Sequence, residues 1–187
     1  MNLRSIGCLF KNGYNIYVYN QKNSKGKIIG QWVTDGAAAY RLGIYPPIEV
    51  DDVAKSLFLS QKACSKINFK EVPKFNQVDF NDLSETEVPV NVSPIEIVLN
   101  EVNHIPVFTE NSLDFLDSKY LLAISKRWRL ATTLFARKHE SGQTYFAVKE
   151  GGCVIAVIMP FKVDVNYFDA DLRRIIDGLE FCKKDRQ

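Results

Sequence analysis

Apolar positions recur along this chain mostly with a period of two, interrupted by short helical stripes. Leu3, Ile6, Leu9 and Phe10 fall at helical spacing and predict a helix over 1–10, which Gly13 ends. The aromatic and β-branched run 14–19 predicts a strand, followed by a polar hairpin loop at 20–27. Strands are expected over 28–34 and 37–42, joined by Asp35-Gly36, a pair that tolerates positive φ in a tight turn. Pro46-Pro47 closes this unit. A short helix is expected over 50–58, with Val53, Leu57 and Phe58 facing inward, continued over 61–66 and followed by a strand at 67–72. Strands at 95–99 and 105–108 flank a turn at 100–103. The chain then reads as a helix over 118–128 and strands over 131–137, 144–149 and 153–163, the last being its most apolar segment. Finally, Phe168, Leu172, Ile175, Ile176, Leu179 and Cys182 share one face of an amphipathic helix over 168–184. That helix either docks on the protein's own core or offers a surface to a second copy or partner.

A length of 187 residues suits one domain carrying an insertion, and 46% hydrophobic content with 25% charged residues argues against global disorder. The longest apolar run, Cys153 to Met159, is far shorter than the roughly 20 residues that span a bilayer. No basic-then-apolar leader opens the chain, so a cytoplasmic protein without membrane attachment is expected. The four cysteines, Cys8, Cys64, Cys153 and Cys182, are far apart and form no CxxC pair. They read as structural thiols, with Cys153 packing as a small hydrophobe in its strand.

Charge adds a feature that the net value of +2 conceals. Residues 1–70 carry ten Lys/Arg and four Asp/Glu, residues 71–117 one basic and ten acidic, and residues 118–187 thirteen basic and eight acidic. An acidic block thus separates two basic ones. Its first part, 73–94, contains Pro73, Pro89 and Pro94 and predicts little regular structure. A stretch of that length inside a compact domain is usually functional or mobile.

Residues 2–42 read helix, strand, strand, strand, and residues 118–163 read the same again, a candidate internal duplication. Three local patterns accompany it: Gln31-Trp32-Val33-Thr34-Asp35-Gly36, Phe115-Leu116-Asp117-Ser118-Lys119-Tyr120-Leu121-Leu122, and Val157-Ile158-Met159-Pro160-Phe161-Lys162. Each resembles a segment of a bacterial DNA sliding clamp subunit: the strand ending in Thr-Asp-Gly, the entry to the last helix, and the closing Met-Pro strand. The resemblance covers about half the chain. It implies an α+β fold of clamp-like duplicated helix–three-strand units forming antiparallel sheets. Here an acidic insertion and a C-terminal helix would be added. The single domain 1–187 then divides into a first half (1–45), an insertion with linking strands (46–112), a second half (113–165) and the tail helix (166–187). A clamp subunit holds three such domains, so this chain could encircle DNA only as a homo-oligomer.

In clamps the helices present cations to the DNA backbone. By that resemblance the nucleic-acid-binding candidates are Arg4 and Lys11 on the first helix, Lys119, Lys126 and Arg127 on the second, and Arg129 just beyond. Lys119 and Lys126, seven apart, would share a face. A solvated helix face is the competing account of the same residues. Asp79, Asp82, Glu85 and Glu87, interleaved with Phe75, Phe80 and Val88, are candidates for binding a protein partner whose basic groove normally holds phosphates. A solubilising loop is the competing account there.

Catalytic patterns are wanting. His104 and His139 stand apart from Cys and acidic residues at metal-ligand spacing, Lys25-Gly26-Lys27 lacks the rest of a P-loop, and no GxSxG occurs. Asp35 is explained by its turn. No cofactor, metal or enzymatic activity is expected. Two functions follow: a non-enzymatic phage or mobile-element protein that binds DNA or a DNA-processing complex, or an anti-CRISPR-type inhibitor that blocks an RNA-guided nuclease.

Overall fold

The computed structural model describes residues 2–13, 15–43, 46–73, 78–99, 101–109, 112–161 and 177–178. Helix α1 (Leu3–Phe10) begins where the Asn2 side chain accepts a hydrogen bond from the Ser5 backbone N–H at 3.2 Å. Strands β1 (Asn15–Lys22), β2 (Ile28–Thr34) and β3 (Ala38–Arg41) follow as an antiparallel meander. Between β2 and β3 the Asp35 carboxylate accepts from the Ala37 and Ala38 N–H groups, while Gly36 takes φ +95°, a value costly for any residue with a Cβ. Helices α2 (Val50–Ser56) and α3 (Gln61–Cys64) then carry the chain back so that β4 (Asn68–Val72) lies parallel to β1.

The insertion contributes β5 (Val88–Pro89), β6 (Asn91–Val92), β7 (Ile97–Leu99) and β8 (Val102–Phe108). Strand β9 (Leu113–Asp117) runs directly into α4 (Ser118–Ile124), and α5 (Trp128–Ala131) leads to the second meander, β10 (Thr133–Lys138), β11 (Thr144–Glu150) and β12 (Cys153–Ile158). One sheet has eight strands in the order β4-β1-β2-β3-β12-β11-β10-β5. The two meanders meet through antiparallel pairing of β3 with β12, Tyr40 opposite Ala156. In the second sheet β8 pairs with β6 and β7 and, independently, with β9. The protein is therefore α+β with large antiparallel sheets and short helices.

Strand alternation gives the large sheet two buried faces. Toward the helices, Val18, Val33, Tyr40, Phe146, Val148 and Ile158 join Ile6 and Phe10 of α1 and Leu121 and Ile124 of α4 in one core, to which the second sheet adds Ile105, Val107 and Leu116. α1 and α4 pack against each other. Gly7 permits a close backbone approach in that core: a Cβ there would lie 1.9 Å from the Leu57 carbonyl oxygen. On the opposite face Trp32, Tyr145, Ala147, Val154 and Val157 form a smaller core closed by Phe80, whose ring centroid is 4.4 Å from that of Trp32.

Several sequence expectations need correction. The helix expected over 118–128 ends at Ile124, because Ser125 is extended and its hydroxyl accepts from the Arg127 N–H at 3.1 Å, a local bond that competes with the helix. The break lets α5 begin at Trp128, whose side chain is buried. Phe58 points outward, 66% exposed, since α2 ends at Ser56 with Leu57 as its cap and Phe58 takes a left-handed φ of +56°. Cys153 is exposed at the first position of β12. The strand expected over 153–163 ends at Ile158: Pro160 lacks a donor, and Phe161 instead forms a single bridge with Phe115 in the other sheet. Residues 162–163 and the tail helix, apart from 177–178, lie outside the described residues.

Candidate nucleic-acid interface

Residues 1–34 and 118–139 contain no Asp or Glu. The two adjacent helices α1 and α4 and the turn after α4 therefore carry cations and no anions of their own. Arg4 and Lys11 are exposed on α1, and Lys119, Lys126, Arg127 and Arg129 are exposed on α4 and the segment following it. Their engagement differs. Lys119 Nζ is 2.5 Å from an Asp117 oxygen and 4.8 Å from the Tyr120 ring centroid. Arg129 donates to the Ser93 carbonyl at 2.8 Å, with its guanidinium 4.6 Å from the Trp128 ring. Arg4 lies 5.8 Å from the Phe58 ring. Lys11, Lys126 and Arg127 have no ion-pair partner among the described residues. Because α4 ends at Ile124, Lys126 stands beyond the helix and does not continue the face of Lys119.

The acidic candidates are placed quite differently. Residues 78–87 cross the face of the sheet opposite the helices and form a strap anchored by Phe80. Arg137, fully buried on β10, donates to the carbonyls of Asp79 at 3.0 Å and Asn81 at 2.8 Å, and to Glu87 Oε2 at 2.6 Å. Lys149 donates to Glu87 Oε1 at 2.6 Å. Asp82 accepts from the Val154 N–H at 2.8 Å and pairs with Arg41 at 3.2 Å. The Asp79 N–H donates to the Tyr145 hydroxyl, and its carboxylate accepts from Asn81 N–H. Of the four carboxylates only Glu85 is exposed. Burial pushes the Glu87 carboxyl up, but the hydrogen bonds and charges of Lys149 and Arg137 outweigh it and hold the group below its ordinary value.

Sequence reasoning did not single out Arg137 or Lys149. The signal was the alternation itself: Arg137 shares a strand face with Phe135, and Lys149 with Ala147, so each charge falls where an inward residue is expected. Other buried polar groups serve the fold. The Tyr40 hydroxyl donates to the Tyr120 carbonyl at 2.9 Å, and the Tyr120 hydroxyl to Asp35 at 3.4 Å, tying β3 and the β2–β3 turn of the large sheet to α4. Burial, with Asp35 nearby, raises both phenols. His104 is buried against Phe161, and its Nδ1 has no hydrogen-bond partner among the described residues. Burial lowers its pKa.

Among the described residues no three His, Cys, Asp or Glu side chains come together as a metal cluster, and no helix is long and apolar enough to cross a membrane. Comparison with protein-family models, with curated proteins and with solved structures returns no match.

Proposed function

We propose that this protein is a non-catalytic clamp-like scaffold that binds duplex DNA, or a complex handling it, through the cations of α1, α4 and the turn after α4. The observation that carries this reading is the juxtaposition of two anion-free helices on one side of the large sheet, with Lys11, Lys126 and Arg127 exposed and without ion-pair partners among the described residues. Phosphate contact needs cations at the surface and no fixed base-reading geometry. The strand order supports the clamp likeness: two helix-led meanders run outward in mirrored order from the β3–β12 pair. One copy holds a single such pair, so contact with DNA is lateral unless several copies close around it. A phage or mobile-element origin fits a small DNA-directed protein of this kind.

A second reading, inhibition of an RNA-guided nuclease by the acidic strap, has one favouring observation: Leu83, 83% exposed, stands beside exposed Glu85 at its crest. The helix reading is preferred because Asp82 and Glu87 already satisfy Arg41, Arg137 and Lys149 within the chain. The test is duplex binding by Lys126→Glu with Arg127→Glu. An affinity drop of at least about tenfold at ~50 mM salt is expected, and an unchanged affinity contradicts the proposal.

A further inference from the structure

An open groove of about 350 Å³ separates the last turn of α1 from the segment after α2. Lys11, Lys62 and Lys66 line it together with Cys8, Ser60 and Phe58, and no carboxylate is among its lining residues. All three lysines are exposed. The groove is thus a concave surface of one sign of charge with an aromatic ring at its rim.

That ring is held in an unusual way. The Leu59 N–H donates to the Ala54 carbonyl and the Phe58 N–H to the Lys55 carbonyl, the paired bonds that close a helix with a left-handed residue. Glycine normally occupies that place, yet here it is Phe58, at φ +56°. A bulky side chain in this backbone region is strained. Packing does not repay the strain, since Phe58 is 66% exposed and its ring has, among the described residues, one cation contact, the Arg4 guanidinium at 5.8 Å. A strained, solvent-facing aromatic beside three lysines is what a stacking platform beside a phosphate track requires.

We propose that this groove binds single-stranded nucleic acid, one unstacked base lying on the Phe58 ring and the adjoining phosphates held by Lys11, Lys62 and Lys66. The proposal deepens the DNA reading above and shares only Lys11 with it. A duplex keeps its bases stacked and offers nothing to Phe58, so the groove distinguishes the two forms. A polyanion lacking flat bases would use the lysines and leave the ring idle.

The test measures fluorescence anisotropy of a labelled oligothymidine of about 12 nucleotides and of a duplex of similar length at ~50 mM salt. Phe58→Gly relieves the left-handed strain, so its thermal midpoint is expected to equal or exceed that of the parent protein. Its affinity for the single strand should fall about fivefold or more, with duplex affinity unchanged. Phe58→Leu keeps an apolar side chain in the same backbone and should show the same loss, which ties the effect to the flat ring. Lys62→Glu with Lys66→Glu should weaken the single strand further. The proposal is overturned if the parent protein does not bind the oligothymidine, if both Phe58 variants bind it as the parent does, or if they lose single strand and duplex equally. Failure of the parent protein to bind the duplex, with oligothymidine still bound and Phe58-dependent, removes the helix-face reading and leaves the groove standing.

Discussion

On one face of the eight-stranded sheet α1 and α4 press apolar side chains into a large core, and Gly7 brings backbone against backbone at Leu57. On the other face a single strap is fastened by one aromatic ring and a cluster of charges: Arg137, Glu87 and Lys149 inside, Asp82 and Arg41 at the edge. Shape complementarity closes the first face and hydrogen-bonded charge closes the second. The contrast bears on function, because a charge spent inside the chain is not available to a partner. The strap's carboxylates are largely committed, whereas part of the helix-side cation set is not. Stability should therefore depend on the strap charges and binding on the helix cations.

The strongest way to break this division is Arg137→Ala. It strips Glu87 of a buried partner and leaves the Asp79 and Asn81 carbonyls without a donor, so a loss of about 3–5 kcal/mol in denaturant unfolding is expected. An effect below about 1 kcal/mol would show that the strap is not held by charge.

Gly7→Ala probes the opposite face and should cost about 3 kcal/mol, near the upper end for overpacking. Because the clash is with the Leu57 backbone oxygen, truncating Leu57 should not rescue it, and rescue by Leu57→Ala would contradict the packing described.

Acid should separate the faces again. Glu87 has a folded-state pKa below its ordinary 4.5, so its stabilisation is fully present above about pH 4.5 and is lost as the pH falls through the folded value. His104 is also depressed, so its neutral form favours folding. That contribution is whole above the unfolded value of 6.5 and shrinks as pH drops below it. Unfolding measured from pH 7.5 to 3.5 should show two declines, with the upper one absent in His104→Gln and the lower one absent in Glu87→Gln.

The smallest stability effect is expected for Lys126→Ala with Arg127→Ala, within about 0.5 kcal/mol, since both side chains are exposed and unpaired among the described residues. A larger loss would mean that these cations belong to the fold.

Parts of this organisation could be read from sequence for local reasons. Strand β2 runs over Ile28–Thr34, as its β-branched and aromatic run indicates, and Asp35-Gly36 makes the expected turn, because both signals are short-range. In sequence the strap shows itself as a polar, acidic stretch with partner-binding candidates, not as a segment fastened to the sheet. Its anchor joins Arg137 to Glu87 across 50 residues, and no local pattern reports such a pairing. The break after Ile124 depends on one serine side chain competing with the helix, and the outward turn of Phe58 depends on where α2 stops. For the interface, the cations were legible as helix-borne charges. Their different engagement was not, because Asp117 restrains Lys119 and the Ser93 carbonyl, distant in sequence, restrains Arg129.

The helix-face proposal is tested most directly by the salt dependence of binding to a duplex of about 20 base pairs, for the parent chain and for Lys126→Ala with Arg127→Ala. Lys11, Lys126 and Arg127, whose side chains have no ion-pair, hydrogen-bond or ring partner among the described residues, each neutralising one phosphate, give a slope of log affinity against log salt of roughly −3, and removing two should flatten it by about 2. Equal slopes in the two proteins, or no duplex binding at ~50 mM salt, would contradict a role for this surface in holding DNA.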